Sequence, residues 1–449
     1  MGGAHLLPLL LPLLLSFSSA APIPTGKSTL PYLKLPLHRN HPFPPTPSHA
    51  LSSDTSRLIS LNCRRAKLPL VSGASSGSGQ YFVEFHLGTP PQRLFLVADT
   101  GSDLVWVTCS ACQNCSTRLP HSAFLARHSA SFSPLHCYDS KCDFVPRPRR
   151  VACNRTRLHS PCRYEYSYAD GSVTGGFLAR ETTAFNSSSG VAVRFSNVEF
   201  GCSFRSSGPS ITGPSFNGAQ GVLGLGRGPI SLATQLGRRF GNKFSYCLMD
   251  YTLAPTPRSY LVIGDGEAEA VNGSKKSFTP LINNSLSSTF YYVGIESVFI
   301  ENVKLPISPS VWIADEQGNG GTIIDSGTTL TFLAQPAYDL IVKEFKRRME
   351  PPEPVDLTSG FDLCINVSRD SKPYVPSLSF KFAGGSAFAP PAGNYFIDTA
   401  PDVKCLALQP VTSSSSFSVI GNLMQQGFLF EFDNDRSQLG FLRTGCSLP

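Results

Sequence analysis

One short phrase occurs twice in this chain and constrains everything else. Ala98-Asp99-Thr100-Gly101-Ser102 is echoed by Ile324-Asp325-Ser326-Gly327-Thr328: an acid, a hydroxyl residue, a glycine and a second hydroxyl residue. Apolar runs lead in, Leu94-Phe95-Leu96-Val97 and Thr322-Ile323-Ile324, and apolar runs lead out, Leu104-Val105-Trp106-Val107 and Leu330-Thr331-Phe332-Leu333. A carboxylate that ends a buried strand is costly unless hydrogen bonds satisfy it. Two such sites in one chain are expected to face each other.

A second element repeats beside each acid. Gly221-Val222-Leu223-Gly224 follows the first and Val419-Ile420-Gly421-Asn422 the second. The spacing of roughly 95–125 residues is that of a duplicated lobe and is too long for solenoid repeats. Glycine lets one backbone pass close to another, so each apolar-glycine run is expected to pack against the loop bearing its acid.

The 449 residues allow two or three domains. Charged residues make up 15% and glycine and proline are plentiful, at 38 and 37, which favours strands and loops over long helices. Tyr81 to Leu87, the turn Gly88-Thr89-Pro90-Pro91, and Leu94 to Asp99 read as a hairpin delivering the first acid. Tyr164-Glu165-Tyr166-Ser167-Tyr168 leads into Asp170-Gly171-Ser172, a second hairpin signal. Two helices are expected, Pro229 to Leu236 and Pro336 to Met349; the latter has proline in its first turn and Leu340, Ile341 and Phe345 on one face. The join between halves is expected near Met249 to Arg258.

Residues 1–20 read as a secretory signal, with an apolar core from Leu6 to Phe17 and small residues at Ser18-Ser19-Ala20. No later stretch has the length of a membrane span. Residues 21–72 read as a basic propeptide, carrying seven Lys and Arg residues against Asp54 alone. The net charge of +7 therefore sits mainly on this leader, and the basic balance is no evidence for nucleic-acid binding. The leader's cations are expected to meet a carboxylate-rich cleft until acid or proteolysis releases them.

Thirteen cysteines fit an oxidising compartment, and removing the leader with its Cys63 leaves an even number. Cys109-x-x-Cys112-x-x-Cys115 has spacing compatible with zinc, but a secretory route favours disulfides, so no metal is expected. Sequons at Asn154, Asn186, Asn272, Asn283 and Asn366 are compatible with glycosylation; a sixth, Asn114, has Cys115 as its middle residue. The cysteine-rich stretch also holds Arg147, Arg149, Arg150, Arg155, Arg157 and Arg163. These read as a solvated basic loop or as a docking patch for an anionic surface.

Together these residues resemble the pepsin-like aspartic endopeptidases, and among them the cysteine-rich plant group called nepenthesin-like. The resemblance covers about Gln80 to Leu442 and rests on both acid phrases, both apolar-glycine runs, Tyr168-Ala169-Asp170-Gly171-Ser172 and the cysteine-rich insert. It implies a mainly all-β, bilobal fold of two duplicated β-lobes around a central cleft, with a few short helices. The N-terminal lobe would span 73–255, with the insert at 109–162 and a flap at 164–178; the C-terminal lobe would span 256–449. Two carboxylates about 3 Å apart cannot both ionise, so Asp99 and Asp325 would share a proton and activate a water between them.

The resemblance further implies supporting roles for Thr100, Gly101, Ser102, Ser326, Gly327 and Thr328. Tyr168, Gly171 and Ser172 would form a flap over an extended peptide, with Trp106 as the partner of Tyr168. It suggests the disulfides Cys109–Cys112, Cys115–Cys202, Cys137–Cys162, Cys142–Cys153, Cys247–Cys446 and Cys364–Cys405. Ala169 and Asn422 depart from commoner residues at their positions. The implied activity is acid endopeptidase cleavage of polypeptides without a cofactor, by a monomer secreted to the cell wall, with vacuole or plastid as alternatives. The same scaffold also serves plant proteins that inhibit xylanases, so a binding protein without activity is the competing expectation.

Overall fold

The computed structural model describes residues 33–38 and 79–446, apart from 114–122, 149–152, 155–158, 169–170, 187–191, 213–215, 217, 238, 251–258, 265–274, 350–359, 368–372, 412–416 and 445. The stretches expected to be a signal, residues 1–20, and most of the expected propeptide, 21–72, thus lie outside the described residues, as do Asn114, Asn272 and the side chain of Asn186. Asn154, Asn283 and Asn366 are exposed.

The chain forms a mainly β, two-lobed structure, with most strands joined in one extended sheet system. Each lobe builds the same local pattern around its acid. Strand Gln92–Asp99 runs parallel to Gly221–Gly224, with Asp99 opposite Gly224, while Trp106 and Val107 pair antiparallel with Val222 and Gly221. In the other lobe Thr322–Ile324 runs parallel to Ser418–Ile420, and Phe332 pairs antiparallel with Val419. The apolar-glycine runs are the middle strands of these two matched sets.

The glycines permit the crossing. A Cβ on Gly221 would lie 1.9 Å from the Trp106 carbonyl oxygen, and one on Gly421 would lie 2.0 Å from that of Leu330. No side chain fits there, so glycine is required by close approach.

A bridging sheet joins the lobes. Ser259–Ile263 pairs antiparallel with Lys243–Cys247, which pairs with Phe428–Asp433, then Gln438–Arg443, then Ser277–Ile282. The expected join between halves falls in the connection between its first two strands, where 251–258 are outside the described residues. Phe244 stacks on Phe432 with centroids 4.6 Å apart, and Tyr291 meets Phe432 edge-on at 4.4 Å. These contacts bury large aromatic rings at the seam, and that burial stabilises the bridging sheet. Leu33–His38 adds to the same sheet, pairing with Ser259–Ile263 on one side and with Phe82 and Val83 on the other.

The hairpins form as the alternation requires: Phe82–Leu87 against Gln92–Asp99, and Arg163–Ser167 against Val173–Asn186. The helix Gln335–Arg348 has proline in its first turn and buries Tyr338, Ile341, Val342 and Phe345; Leu340 is only partly buried. The other expected helix is present but short, Leu232–Gly237.

The disulfides differ from expectation in the insert. Cys109 pairs with Cys202, not with Cys112, and Cys202 is therefore not the partner of Cys115. Cys109 and Cys112 lie in one strand, Trp106–Gln113. Three residues of extended chain span about 10 Å, beyond the reach of a disulfide at about 7 Å. Cys202 instead lies on the neighbouring parallel strand, opposite Val107. Likewise Cys137 pairs with Cys153 and Cys142 with Cys162, replacing Cys137–Cys162 and Cys142–Cys153. The backbone register decides this: the Cys137 amide bonds to Ser160 and the Cys162 amide to Leu135, so those two cysteines are not opposite. Cys142 and Cys162 are both fully buried beside Leu135 and Tyr164. The structure also carries Cys247–Cys446 and Cys364–Cys405.

Candidate active site

Asp99 and Asp325 end their strands in the same way. The Gly101 amide donates to Asp99 Oδ1 at 3.0 Å and the Ser102 hydroxyl to Oδ2 at 2.6 Å. The Gly327 amide donates to Asp325 Oδ1 at 2.9 Å and the Thr328 hydroxyl to Oδ2 at 2.6 Å. Both acids are about 1% exposed or less. Each carboxylate oxygen thus receives a hydrogen bond from within its own phrase, so the buried acid is not left unsatisfied. The acid-hydroxyl-Gly-hydroxyl order explains itself: the glycine amide and the hydroxyl three residues on both turn back to the acid.

The middle hydroxyls tie the two phrases together. The Ser326 amide donates to Thr100 Oγ1 at 2.9 Å, and the Thr100 amide donates to Ser326 Oγ at 3.1 Å. Each hydroxyl then donates onward to the other lobe's strand, Ser326 to the Ala98 carbonyl at 3.0 Å and Thr100 to the Ile324 carbonyl at 3.4 Å. This reciprocal set holds the two acid loops against each other.

Beneath the acids the glycine runs supply a floor. The Leu225 amide donates to the Asp99 carbonyl at 2.8 Å, and the Asn422 amide donates to the Thr328 carbonyl at 2.7 Å. The Asn422 side-chain amide donates to the Ser326 carbonyl at 3.0 Å, and Gln425 donates to the Asp325 carbonyl at 3.2 Å. Tyr246 in turn donates to Gln425. Burial first, then Asp325, holds the Tyr246 phenol well above its usual value, so it remains a donor.

The hairpin of Arg163–Ser167 and Val173–Asn186 carries Tyr168 at its turn. The Tyr168 amide donates to the Ser172 carbonyl at 2.7 Å and the Gly171 amide to the Tyr168 carbonyl at 3.1 Å. Gly171 has φ +79°, the left-handed conformation that suits glycine. Ser172 is buried, and Ala169 and Asp170 lie outside the described residues. Trp106 Nε1 donates to the Tyr168 hydroxyl at 2.6 Å, and the Trp106 ring stacks on Phe216. Burial, then Tyr166 and Asp99, raises the Tyr168 phenol well above its usual value. Trp106 is therefore both a core residue and the hydrogen-bond partner of Tyr168.

Sequence reasoning missed Asp103 and its partners. Its Oδ1 accepts from the Gly228 amide at 2.8 Å and its Oδ2 from the Thr289 hydroxyl, across the lobes, at 2.7 Å. Burial raises its carboxyl above the usual value, against the lowering pull of Thr289 and Gly228. Nearby, the Arg227 amide donates to the Thr289 carbonyl and the Tyr291 hydroxyl to the Leu225 carbonyl, completing a seam between lobes. The one signal in the sequence was an acid placed immediately before the apolar run Leu104 to Val107.

Among the described residues no group of three or more His, Cys, Asp or Glu is arranged to hold a metal, and no helix is long and apolar enough to cross a membrane.

Comparison with known proteins agrees with this geometry. Family models described as the N-terminal and C-terminal parts of xylanase inhibitors match residues 81–265 and 290–443. Aspartyl protease family protein 2 of Arabidopsis thaliana is 36% identical over 380 residues, covering 84% of this chain and 73% of that protein. Aspartic proteinase nepenthesin-1 of Nepenthes gracilis is 35% identical over 373 residues, 83% of this chain and 79% of that protein. Among solved structures, edgp aligns with TM-score 0.67 at 21% identity, covering 93% of this chain and 96% of that one. Basic 7S globulin from soybean aligns with TM-score 0.63 at 20% identity, covering 93% and 98%. With these relatives and with paired acids on matched strands, the chain belongs to the plant pepsin-like aspartic proteases that include the nepenthesins.

Proposed function

We propose that the chain is a secreted aspartic endopeptidase, made as a zymogen, that hydrolyses peptide bonds of extended polypeptides in acid. The ionised member of the Asp99–Asp325 pair takes a proton from a water held between them. That water attacks the scissile carbonyl while the protonated member donates to the carbonyl oxygen. As the carbon–nitrogen bond breaks, the now protonated member gives its proton to the leaving nitrogen and the other takes one from a hydroxyl of the tetrahedral diol, which restores the starting pair and leaves a carboxylic acid and an amine. The roles belong to the pair, because two coupled carboxylates titrate as a unit. Tyr168 on the flap, oriented by Trp106, covers the peptide. The observation that carries the reading is the matched hydrogen bonding of the two acids, together with the reciprocal Thr100–Ser326 bonds.

The pairing of Leu33–His38 with two strands of the body supports a leader that folds with the enzyme before its removal. The polypeptide substrate class rests on the relatives named as aspartic proteinases.

The decisive experiment incubates acid-treated protein with denatured globin and a statine-type transition-state mimic. Cleavage blocked by the mimic is expected. Asp99→Asn and Asp325→Asn are each expected to lower turnover at least about a thousandfold with unchanged melting behaviour. No cleavage and no binding of the mimic would end this reading.

The description of the matching family models favours one other reading, a protein that binds and inhibits a xylanase. In that case xylanase binding would survive Asp99→Asn, and no peptide would be cut.

A further inference from the structure

A cavity of about 610 Å³ lies in the cysteine-rich insert, at the base of the flap hairpin. His136, His159 and Arg163 line it, with Phe177 and Phe204 as aromatic walls and Pro134 and Pro161 beside them. Among the described residues no carboxylate lines it. This volume lies in the range typical of small-molecule sites, about 300–1,000 Å³.

The three basic side chains have no ion-pair partner among the described residues; two rest on aromatic rings. The His136 ring stacks on Tyr138 with centroids 5.3 Å apart and lies 5.9 Å from that of His159. The Arg163 guanidinium lies over the Phe204 ring at 5.9 Å. Aromatic faces stabilise a cation without neutralising it. The acids of the surrounding elements are already taken: Arg180 pairs with Asp139 and Glu199, Arg205 with Glu165, and Arg147 with Asp143. Lys141, near His136 in the chain, lies over Phe144.

The walls are held in place covalently. Cys137, next to His136, is bonded to Cys153, and Cys162, next to Arg163, is bonded to Cys142. Arg163 also pairs across the hairpin with Phe177. A site whose groups are fixed before the ligand arrives loses less on binding. Of the arginines that suggested a basic patch, Arg147 is paired, Arg149, Arg150, Arg155 and Arg157 lie outside the described residues, and Arg163 enters this cavity.

We propose that this cavity binds a carboxylate carried on a ring, with the anion between Arg163 and the two imidazoles and the ring against Phe177 and Phe204. Two sources share this chemistry, a small aromatic acid and a uronic acid residue of an acidic polysaccharide.

The test titrates the purified full chain by calorimetry with cinnamate, galacturonate and a short galacturonate oligomer. Cinnamyl alcohol and galactose serve as neutral controls, and an acidic hexapeptide as a competing class. At about pH 5 a ring carboxylate is expected to bind and its neutral counterpart is not. Arg163→Gln and the pair His136→Gln/His159→Gln are each expected to weaken binding about tenfold or more, with melting temperature checked for every variant. Stronger binding of cinnamate assigns the aromatic-acid source, and stronger binding of the oligomer the polysaccharide. The proposal fails if no ring carboxylate binds at millimolar concentration, if folded variants bind as well as the parent, or if only the acidic peptide binds.

Discussion

Thr100 and Ser326 each accept a hydrogen bond on the side-chain oxygen from the other's backbone amide, at 2.9 and 3.1 Å, although 226 residues separate them. Both residues are buried, so each amide depends on the opposite hydroxyl. Thr100→Ala is expected to lower stability by about 1–3 kcal/mol by leaving the Ser326 amide unsatisfied. Ser326→Ala should behave alike. Urea unfolding of both single variants and the double variant checks this: the double should lose less than the sum, because the two bonds form one network. Full additivity would mean that the two loops are held independently.

Asp103 makes part of the lobe seam depend on pH. Its folded carboxyl is raised above 3.8, mainly by burial. A raised value means that the folded state holds the proton more tightly than the unfolded chain does. This contribution is therefore complete below the unfolded value and is lost as pH rises through the folded one. Asp103→Asn, which cannot ionise, is expected to show a smaller decline in melting temperature than the parent between about pH 4 and pH 7. Parallel profiles for the two proteins would refute this.

Two glycines separate close approach from backbone strain. Gly421→Ala would push a Cβ to 2.0 Å from the Leu330 carbonyl oxygen and is expected to cost about 1–3 kcal/mol or more. Gly171→Ala meets no atom within 4 Å, and its penalty comes only from φ +79°. That cost is expected to be about 1–2 kcal/mol. Denaturant titration ranks them, with Gly421→Ala the more damaging.

The Cys247–Cys446 disulfide closes a loop with a sequence separation of 199. Replacing both cysteines by serine is expected to destabilise the C-terminal lobe by about 2–5 kcal/mol. Thermal unfolding, with and without reductant, measures it; reductant should have less effect on the variant than on the parent.

The fold and the acid loops were legible because their signals are local. In Asp99-Thr100-Gly101-Ser102 and its echo, the donors to each acid lie within three residues of it, so the phrase carries its own geometry. The glycine runs were legible for a related reason. Close approach of two backbones excludes every other residue, and Gly221 and Gly421 record that in the sequence.

What the sequence left open depended on how distant strands lie beside one another. Cys109 finds Cys202 because parallel strands place Val107 opposite Cys202, a relation that spacing does not encode. The same holds for the exchange of partners between Cys137–Cys153 and Cys142–Cys162, set by a register that puts Leu135 against Cys162. Asp103 meets Thr289 only after the lobes close. By itself the sequence determined two duplicated lobes, each bringing one acid with its own donors. Tertiary structure decided which cysteines bond, which carboxyl is buried at the seam and which basic residues gather in the insert, because those contacts join residues far apart in the chain.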